Sequence, residues 1–199
     1  MSNEGVDLGR RRFLTVATGV VGGAGAVAAA VPFLASFSPS ERAKALGAPV
    51  TINIAGVEAG QMVTTAWRGK PVWVVNRTEE MLASLSGDEK RLRDPESAQP
   101  QQPDYATNQH RSIKPEYLVM LGVCTHLGCS PKFHPESPAP TIDANWPGGF
   151  FCPCHGSKFD LAGRVFQGVP APLNMVVPPH RYETETEVVV GEDTQGGAA

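Results

Sequence analysis

Two hydrophobic patterns divide the chain: one long uninterrupted apolar stretch, then short alternating runs. Residues 13–37 carry no charge over 25 positions, enough at about 1.5 Å per residue to cross roughly 30 Å of hydrocarbon. The pattern predicts a transmembrane helix there. A buried core helix is the other reading, but Gly19, Gly22, Gly23, Gly25 and seven alanines make a poor core element. Residues 38–48 are polar at first and free of strand pattern, so they read as a hinge, or more plainly as a tether.

Alternation then takes over. Val50, Ile52 and Ile54 alternate with Thr51 and Asn53, and segments 61–67 and 71–76 read as further strands, with Gly56, Gly60 and Gly69 breaking the runs. A meander is the expected topology. Met81, Leu82 and Leu85 at helical spacing behind Thr78 predict one short helix within 78–92, weakened at Gly87. Segment 94–114, rich in Pro, Gln, Asn and Asp, is expected as a loop insertion before a strand over 117–123. A last strand pair is expected from 173–177 and the alternating Tyr182, Thr184, Thr186, Val188 and Val190, with Glu183, Glu185 and Glu187 on one solvated strand face. Residues 192–199 read as a disordered tail.

Composition narrows the class. Gly 21 and Pro 18 are more than a helical bundle tolerates and suit short strands joined by tight turns, so the soluble part, 49–191, is expected to be all-β. The formal charge is -3, and setting aside residues 1–37 leaves 14 basic against 18 acidic residues. No basic excess remains to neutralise phosphates, so nucleic acid is excluded as a partner.

Just before the apolar stretch stands Gly9-Arg10-Arg11-Arg12-Phe13-Leu14-Thr15, which resembles the twin-arginine export signal. The plainer alternative is a basic flank obeying the positive-inside rule, and both readings put residues 1–12 in the cytoplasm and the rest outside. Ala28-Ala29-Ala30 offers a cleavage site, whereas the continuation through Val31-Pro32-Phe33-Leu34 favours a retained anchor.

All four cysteines fall in two boxes, Cys124-Thr125-His126-Leu127-Gly128-Cys129 and Cys152-Pro153-Cys154-His155-Gly156-Ser157. Each offers two thiols and one imidazole. The Cys-x-His step of the first does not match zinc-ribbon spacing, which disfavours zinc, and four structural thiols would not need the surrounding His, Gly and Pro. His110, His134 and His180 lie outside the boxes and are expected in loops or at the surface; Trp67, Trp73 and Trp146 are expected to pack.

These boxes resemble those of the Rieske iron–sulfur family, in which two histidines replace two cysteines on one iron. The resemblance implies an antiparallel β-sandwich with a small cluster-binding subdomain at about 120–178, a short helix insertion and one [2Fe-2S] cluster per chain. Cys124 and Cys152 would bind one iron, His126 and His155 the other, and Cys129 and Cys154 would form a disulfide. Ser157 would donate a hydrogen bond to the cluster. Within the family, the export signal, the anchor, the Ala43-Lys44-Ala45-Leu46-Gly47-Ala48 hinge and Gly168-Val169-Pro170-Ala171-Pro172 are most similar to the iron–sulfur subunit of a bacterial quinol:cytochrome c oxidoreductase. The last segment resembles that family's proline loop, with Val169 as an extra residue. An arsenite-oxidase small subunit and a redox-inert metal-binding module are the alternatives.

That resemblance further implies electron transfer from ubiquinol to a c-type cytochrome, beside a cytochrome b subunit, in a dimeric complex of the bacterial inner membrane. His155 would meet the quinol and take its proton. Leu127, Gly128, Pro170, Ala171 and Pro172 would shield the cluster or form the docking face. Phe159 stands where higher-potential members carry a tyrosine that donates to a ligand sulfur, and so would tune the potential downward.

Overall fold

The computed structural model describes residue 5, residues 7–87 and residues 89–193. It divides into two compact units, Met1–Ala45 and Leu46–Ala199. In the first, helix α1 spans Leu8–Ser36, capped by Asp7, whose carboxylate accepts from the N–H groups of Gly9 and Arg10. It begins five residues before the apolar stretch, so the three arginines sit in its first turns. The helical stretch contains a window of mean hydropathy 1.9 and is long and apolar enough to cross a membrane. A second helix, α2, spans Glu41–Gly47 inside the expected linker, with Ser40 Oγ accepting from Ala43 N–H.

The second unit carries three three-stranded antiparallel sheets among the described residues. One is β1 (Val50–Asn53), β9 (Glu187–Val190) and β8 (His180–Thr184), in that order; another is β2 (Met62–Trp67), β3 (Lys70–Asn76) and β4 (Tyr117–Leu121). The second is the expected meander, whereas the first is not, because β1 pairs with the far end of the chain. Strand β3 is buried on both faces, and its period of two assigns the layers. Val72 and Val74, with Val119 and Leu121 of β4, pack on Ile52, Val188 and Val190 of the first sheet, forming the sandwich core. Trp73 and Val75, with Leu118 and Met120, pack on the other side against Phe150, Cys152 and Phe159.

Those last residues belong to the third sheet, β5 (Lys132–His134), β6 (Gly149–Cys152) and β7 (Ser157–Phe159). It is clamped to the sandwich by Trp73 stacking on Phe150 at 5.5 Å between ring centroids, and within the sheet Phe133 stacks on Phe150 at 5.3 Å. Three- and four-residue strands punctuated by Cys and Gly leave no readable alternation, which is why the sequence did not reveal them.

Several expectations need correction. Segment 173–177 is not a strand: Met175 N–H donates to Gly163, Val177 N–H to Gln101, and the Val176 carbonyl accepts from Leu121, so its groups serve three different segments. Residues 182–190 are not one strand but the hairpin β8–β9, turning at Glu185-Thr186. Tyr182 pairs with Val188 and Thr184 with Glu187, with a register shift between the two pairs that interrupts the alternation. Glu183, Glu185 and Glu187 consequently share no strand face, and Glu185 lies in the turn, paired with Lys114 at 2.6 Å. Helix α3 is confined to Glu79–Ser84, with Thr78 Oγ1 accepting from Met81 N–H as expected of a cap, followed by a short 3₁₀ turn at Glu89–Arg91. Of the expected tail, residues 194–199 lie outside the described ones, and Glu192 is held by Arg181 at 2.7 Å. His180 is not at the surface but buried in β8, while Trp67, Trp73 and Trp146 all pack in the core.

The insertion is a loop with one 3₁₀ turn, Asp104–Ala106, yet it is not superficial. Arg111 is fully buried and donates to the carbonyls of Ala162, Gly163 and Met175, and Arg77 likewise to His110, Leu161 and Pro115. Burial lowers both guanidinium pKa values to about 10, opposed by the nearby Asp160 carboxylate. Asp160 in turn pairs with the buried Arg164 at 2.7 Å. This polar layer supports the loop that leaves β7, directly after the second box.

Candidate metal centre

Both boxes are tight turns of the same design. The Cys124 carbonyl accepts from Gly128 N–H at 3.1 Å and the Cys152 carbonyl from Gly156 N–H at 2.9 Å, each closing a loop over four residues. Gly128 and Gly156 have φ of 82° and 74°, the left-handed region where a side chain is strained. The boxes leave from secure places, the first after β4 and the second between β6 and β7. Cys129 and Cys154 are joined in a disulfide across 25 residues of sequence, which ties one turn to the other.

The other two cysteines are free thiols, 2% and 1% exposed. Burial pushes the Cys124 thiol up from its ordinary value, and the adjacent Cys152 adds to this, while the His126 backbone N–H and the Ser157 hydroxyl pull it down. Metal binding takes such groups as thiolates and releases their protons. The sulfurs of Cys129, Cys152 and Cys154 lie within 4.8 Å of one another, but two of them are spent in the disulfide, so only Cys152 of the three can ligate.

The imidazoles complete the set. His126 and His155 meet edge to face, with ring centroids 4.8 Å apart and planes at 85°. Nδ1 of His126 is buried and has no hydrogen-bond partner among the described residues. A buried ring nitrogen without a partner is costly, and an iron ion is what would satisfy it. Two buried thiols and two facing imidazoles, one with an orphaned nitrogen, fit a [2Fe-2S] group with mixed ligation. His155 itself is exposed.

Ser157 is fully buried and its Oγ accepts from Ala171 N–H at 3.0 Å, leaving its proton free for the Cys124 sulfur. Leu127 is 72% exposed at the tip, next to Gly128. In the proline segment Pro170 and Pro172 are exposed, whereas Val169 and Ala171 are buried, so the extra residue contributes a side chain to the core. Phe159 is fully buried in the same cluster as Cys124 and Cys152. Sequence reasoning missed Thr125, whose Oγ1 donates to the Leu173 carbonyl at 2.6 Å and pins the proline segment to the first box. A hydroxyl between two expected ligands was the available signal.

A family model described as the Rieske [2Fe-2S] domain matches residues 50–179, and one described as the Ubiquitinol-cytochrome C reductase Fe-S subunit TAT signal matches residues 1–40. The chain is 57% identical over 193 residues to the ubiquinol-cytochrome c reductase iron-sulfur subunit of Allochromatium vinosum, covering 97% of this chain and 93% of that one. To the subunit of the same name from Blastochloris viridis it is 41% identical over 191 residues, 96% and 97% of the two chains. The mitochondrial cytochrome b-c1 complex subunit Rieske of Saccharomyces cerevisiae is 36% identical over 192 residues, 95% of this chain and 79% of that one.

Proposed function

The chain belongs to the Rieske iron–sulfur subunits of ubiquinol–cytochrome c reductase, and from that membership we propose how its own residues divide the work. It is an electron-transfer subunit of respiratory complex III, anchored in the membrane with an exported domain. Cys124 and Cys152 hold one iron of a [2Fe-2S] cluster as thiolates, and His126 and His155 hold the other. The orphaned Nδ1 of His126, on a ring that meets His155 edge to face, together with two free buried thiols, is the observation that carries this reading. When bound, a cluster with two imidazole ligands accepts one electron at roughly -150 to +300 mV, far above a four-thiolate centre.

The protein supplies orientation and a proton site. His155, exposed at the tip, accepts a hydrogen bond from the ubiquinol hydroxyl and then its proton at the ring nitrogen left facing solvent. His126, half-buried, is kept from that role. Ser157 and the disulfide hold the two turns, Leu127, Gly128, Pro170 and Pro172 offer an apolar docking face, and the buried Ala171 shields the cluster from within. Phe159 withholds a donor from the ligand sulfurs and sets the potential toward the lower part of the range.

The partners are a cytochrome b subunit, where quinol is oxidised, and a c-type cytochrome that receives the electron, in a dimeric complex of the bacterial inner membrane. Residues 1–12 lie in the cytoplasm, α1 crosses the lipid once, and residues 49–191 stand on the periplasmic side. The linker 38–48 lets the domain serve both partners in turn.

Iron and acid-labile sulfide analysis, with electron spin resonance of the dithionite-reduced full chain, tests the assignment. Two irons and two sulfides with a signal that vanishes in His126→Ala and Cys124→Ser are expected. Stoichiometric zinc and a silent spectrum would overturn it.

A further inference from the structure

Segment 168–173 leaves a turn at Gly168, where φ is 71°, and its burial alternates with a period of two. Val169 and Ala171 are buried and Leu173 is half-buried, while Gly168, Pro170 and Pro172 are exposed. Each of the three inward residues has one main-chain group held by a side chain from elsewhere. The Leu173 carbonyl accepts from Thr125 Oγ1 at 2.6 Å and Ala171 N–H donates to Ser157 Oγ at 3.0 Å. The Val169 carbonyl accepts from Arg93 Nη2 at 3.2 Å. Thr125 and Ser157 belong to the two boxes. Arg93 belongs to neither and comes from the segment after the 3₁₀ turn.

Its backbone is braced for that reach. Arg93 N–H donates to the Val165 carbonyl at 2.9 Å, Leu92 is bridged to Phe166, and Gln167 is held twice, by its N–H to the Arg91 carbonyl and by its Nε2 to the Leu92 carbonyl, both at 2.8 Å. The entry to the proline segment is therefore paired with residues 91–93 over three successive positions, and the Arg93 side chain extends that pairing to Val169.

We propose that Arg93 is a positioning residue for quinol oxidation: it pins the first inward carbonyl of the proline segment and so fixes how that segment seats on the two boxes. The role in oxidation rests on the functional reading above; the pin itself does not. Without the Arg93 side chain the Val169 carbonyl loses its donor, and the stretch from Gly168 to Pro170 loosens between the bonds of Gln167 and the Ser157 bond to Ala171. Loss of one ordinary hydrogen bond should raise the open fraction roughly threefold to tenfold.

Wild type, Arg93→Ala and Arg93→Lys are compared as full chains in the assembled, iron-loaded complex. Amide exchange at Ala171 should quicken by roughly threefold to tenfold in Arg93→Ala, while exchange at Val74 in the sandwich core stays unchanged. The apparent KM for ubiquinol should rise by a similar factor with kcat held within about twofold, since the loss is one of seating. Arg93→Lys, which keeps a cationic donor, should restore both readouts at least in part. Unchanged Ala171 exchange, equal acceleration at Val74, or a lysine variant identical to the alanine one would each overturn the proposal. Where Arg93→Ala does not fold, Arg93→Gln takes its place under the same criteria. A wild-type preparation without an iron–sulfur signal would instead defeat the functional reading, and the exchange comparison would still decide whether Arg93 pins the segment.

Discussion

The Tyr105 hydroxyl closes both main-chain groups of His180, accepting its N–H at 2.8 Å and donating to its carbonyl at 2.9 Å. One phenol from the insertion thus finishes the edge of β8, leaving the imidazole inside. His180 Nδ1 lies 2.8 Å from the Pro178 carbonyl, which can only accept, so Nδ1 carries the proton and Nε2 is bare. Nε2 is buried without a partner among the described residues.

A pH dependence of stability follows. Burial lowers the His180 pKa, opposed by the Pro178 hydrogen bond and by Asp193; the ring's other close neighbours, Tyr105 and Tyr182, both have their own pKa values raised and stay neutral. The unfolded histidine binds its proton near pH 6.5, before the folded one does, so the contribution is complete above that pH and is lost as the pH falls toward the depressed folded value. Stability should fall by up to about 1.4 kcal/mol per pH unit from this group in that window. Urea unfolding at pH 7.5 and 5.0 checks it: His180→Phe should lose part of the pH dependence, and an identical dependence in both proteins would exclude His180 as its source.

Asp160 is the only fully buried carboxylate among the described residues, against three buried guanidiniums, Arg77, Arg111 and Arg164. It also accepts the N–H groups of Ala162 and Arg164, so it fixes the turn after β7 as well as the charge. Asp160→Asn keeps the shape and removes the charge. A cost of about 3–5 kcal/mol is expected, because buried positive charge is left uncompensated. A urea midpoint within error of the wild type would show that water or another acid neutralises the layer.

The boxes were legible because their chemistry is written in contiguous residues, and the fold sets the Cys124 thiol beside Cys152 and the His126 ring against His155. What stayed hidden depends on long-range pairing. His180 reads like any polar residue in an alternating run until Tyr105, 75 positions earlier, is seen to seal its backbone. Segment 173–177 carries a strand-like composition, yet its hydrogen bonds are shared among three neighbours and no ladder forms. Arg93 gave no signal at all, since one arginine in the basic run Lys90-Arg91-Leu92-Arg93 is indistinguishable from a solvated one.

The linker makes a third prediction. Helix α2 occupies Glu41–Gly47, held by the Lys44 N–H bond to the Ser40 carbonyl and by an exposed Lys44–Glu41 pair. Replacing residues 43–46 with prolines removes helical N–H donors and converts a short, bendable element into an extended rod of about 3.1 Å per residue. Quinol:cytochrome c turnover should collapse while the electron spin resonance signal of the reduced protein is unaltered. Full turnover with this insert would mean the domain serves both partners without bending at 38–48.

Phe159 carries the last prediction. Its ring is fully buried in the cluster that contains Cys124 and Cys152, and its strand partner is Phe150, so a hydroxyl placed on it enters a region with no water to solvate it. The acceptors such a hydroxyl needs are the ligand sulfurs, which hold more negative charge after reduction than before. Donation to either sulfur favours the reduced form and raises the potential. A net hydrogen bond of roughly 0.5–1.5 kcal/mol, at about 59 mV per tenfold change for one electron, corresponds to tens of millivolts. Phe159→Tyr should therefore shift the midpoint upward by that order with iron content unchanged. Protein-film voltammetry of both proteins measures it, and Phe159→Leu serves as the control that changes packing without adding a donor. If the tyrosine variant matches the leucine variant, or its potential falls, the ring edge points away from the sulfurs and Phe159 does not set the potential.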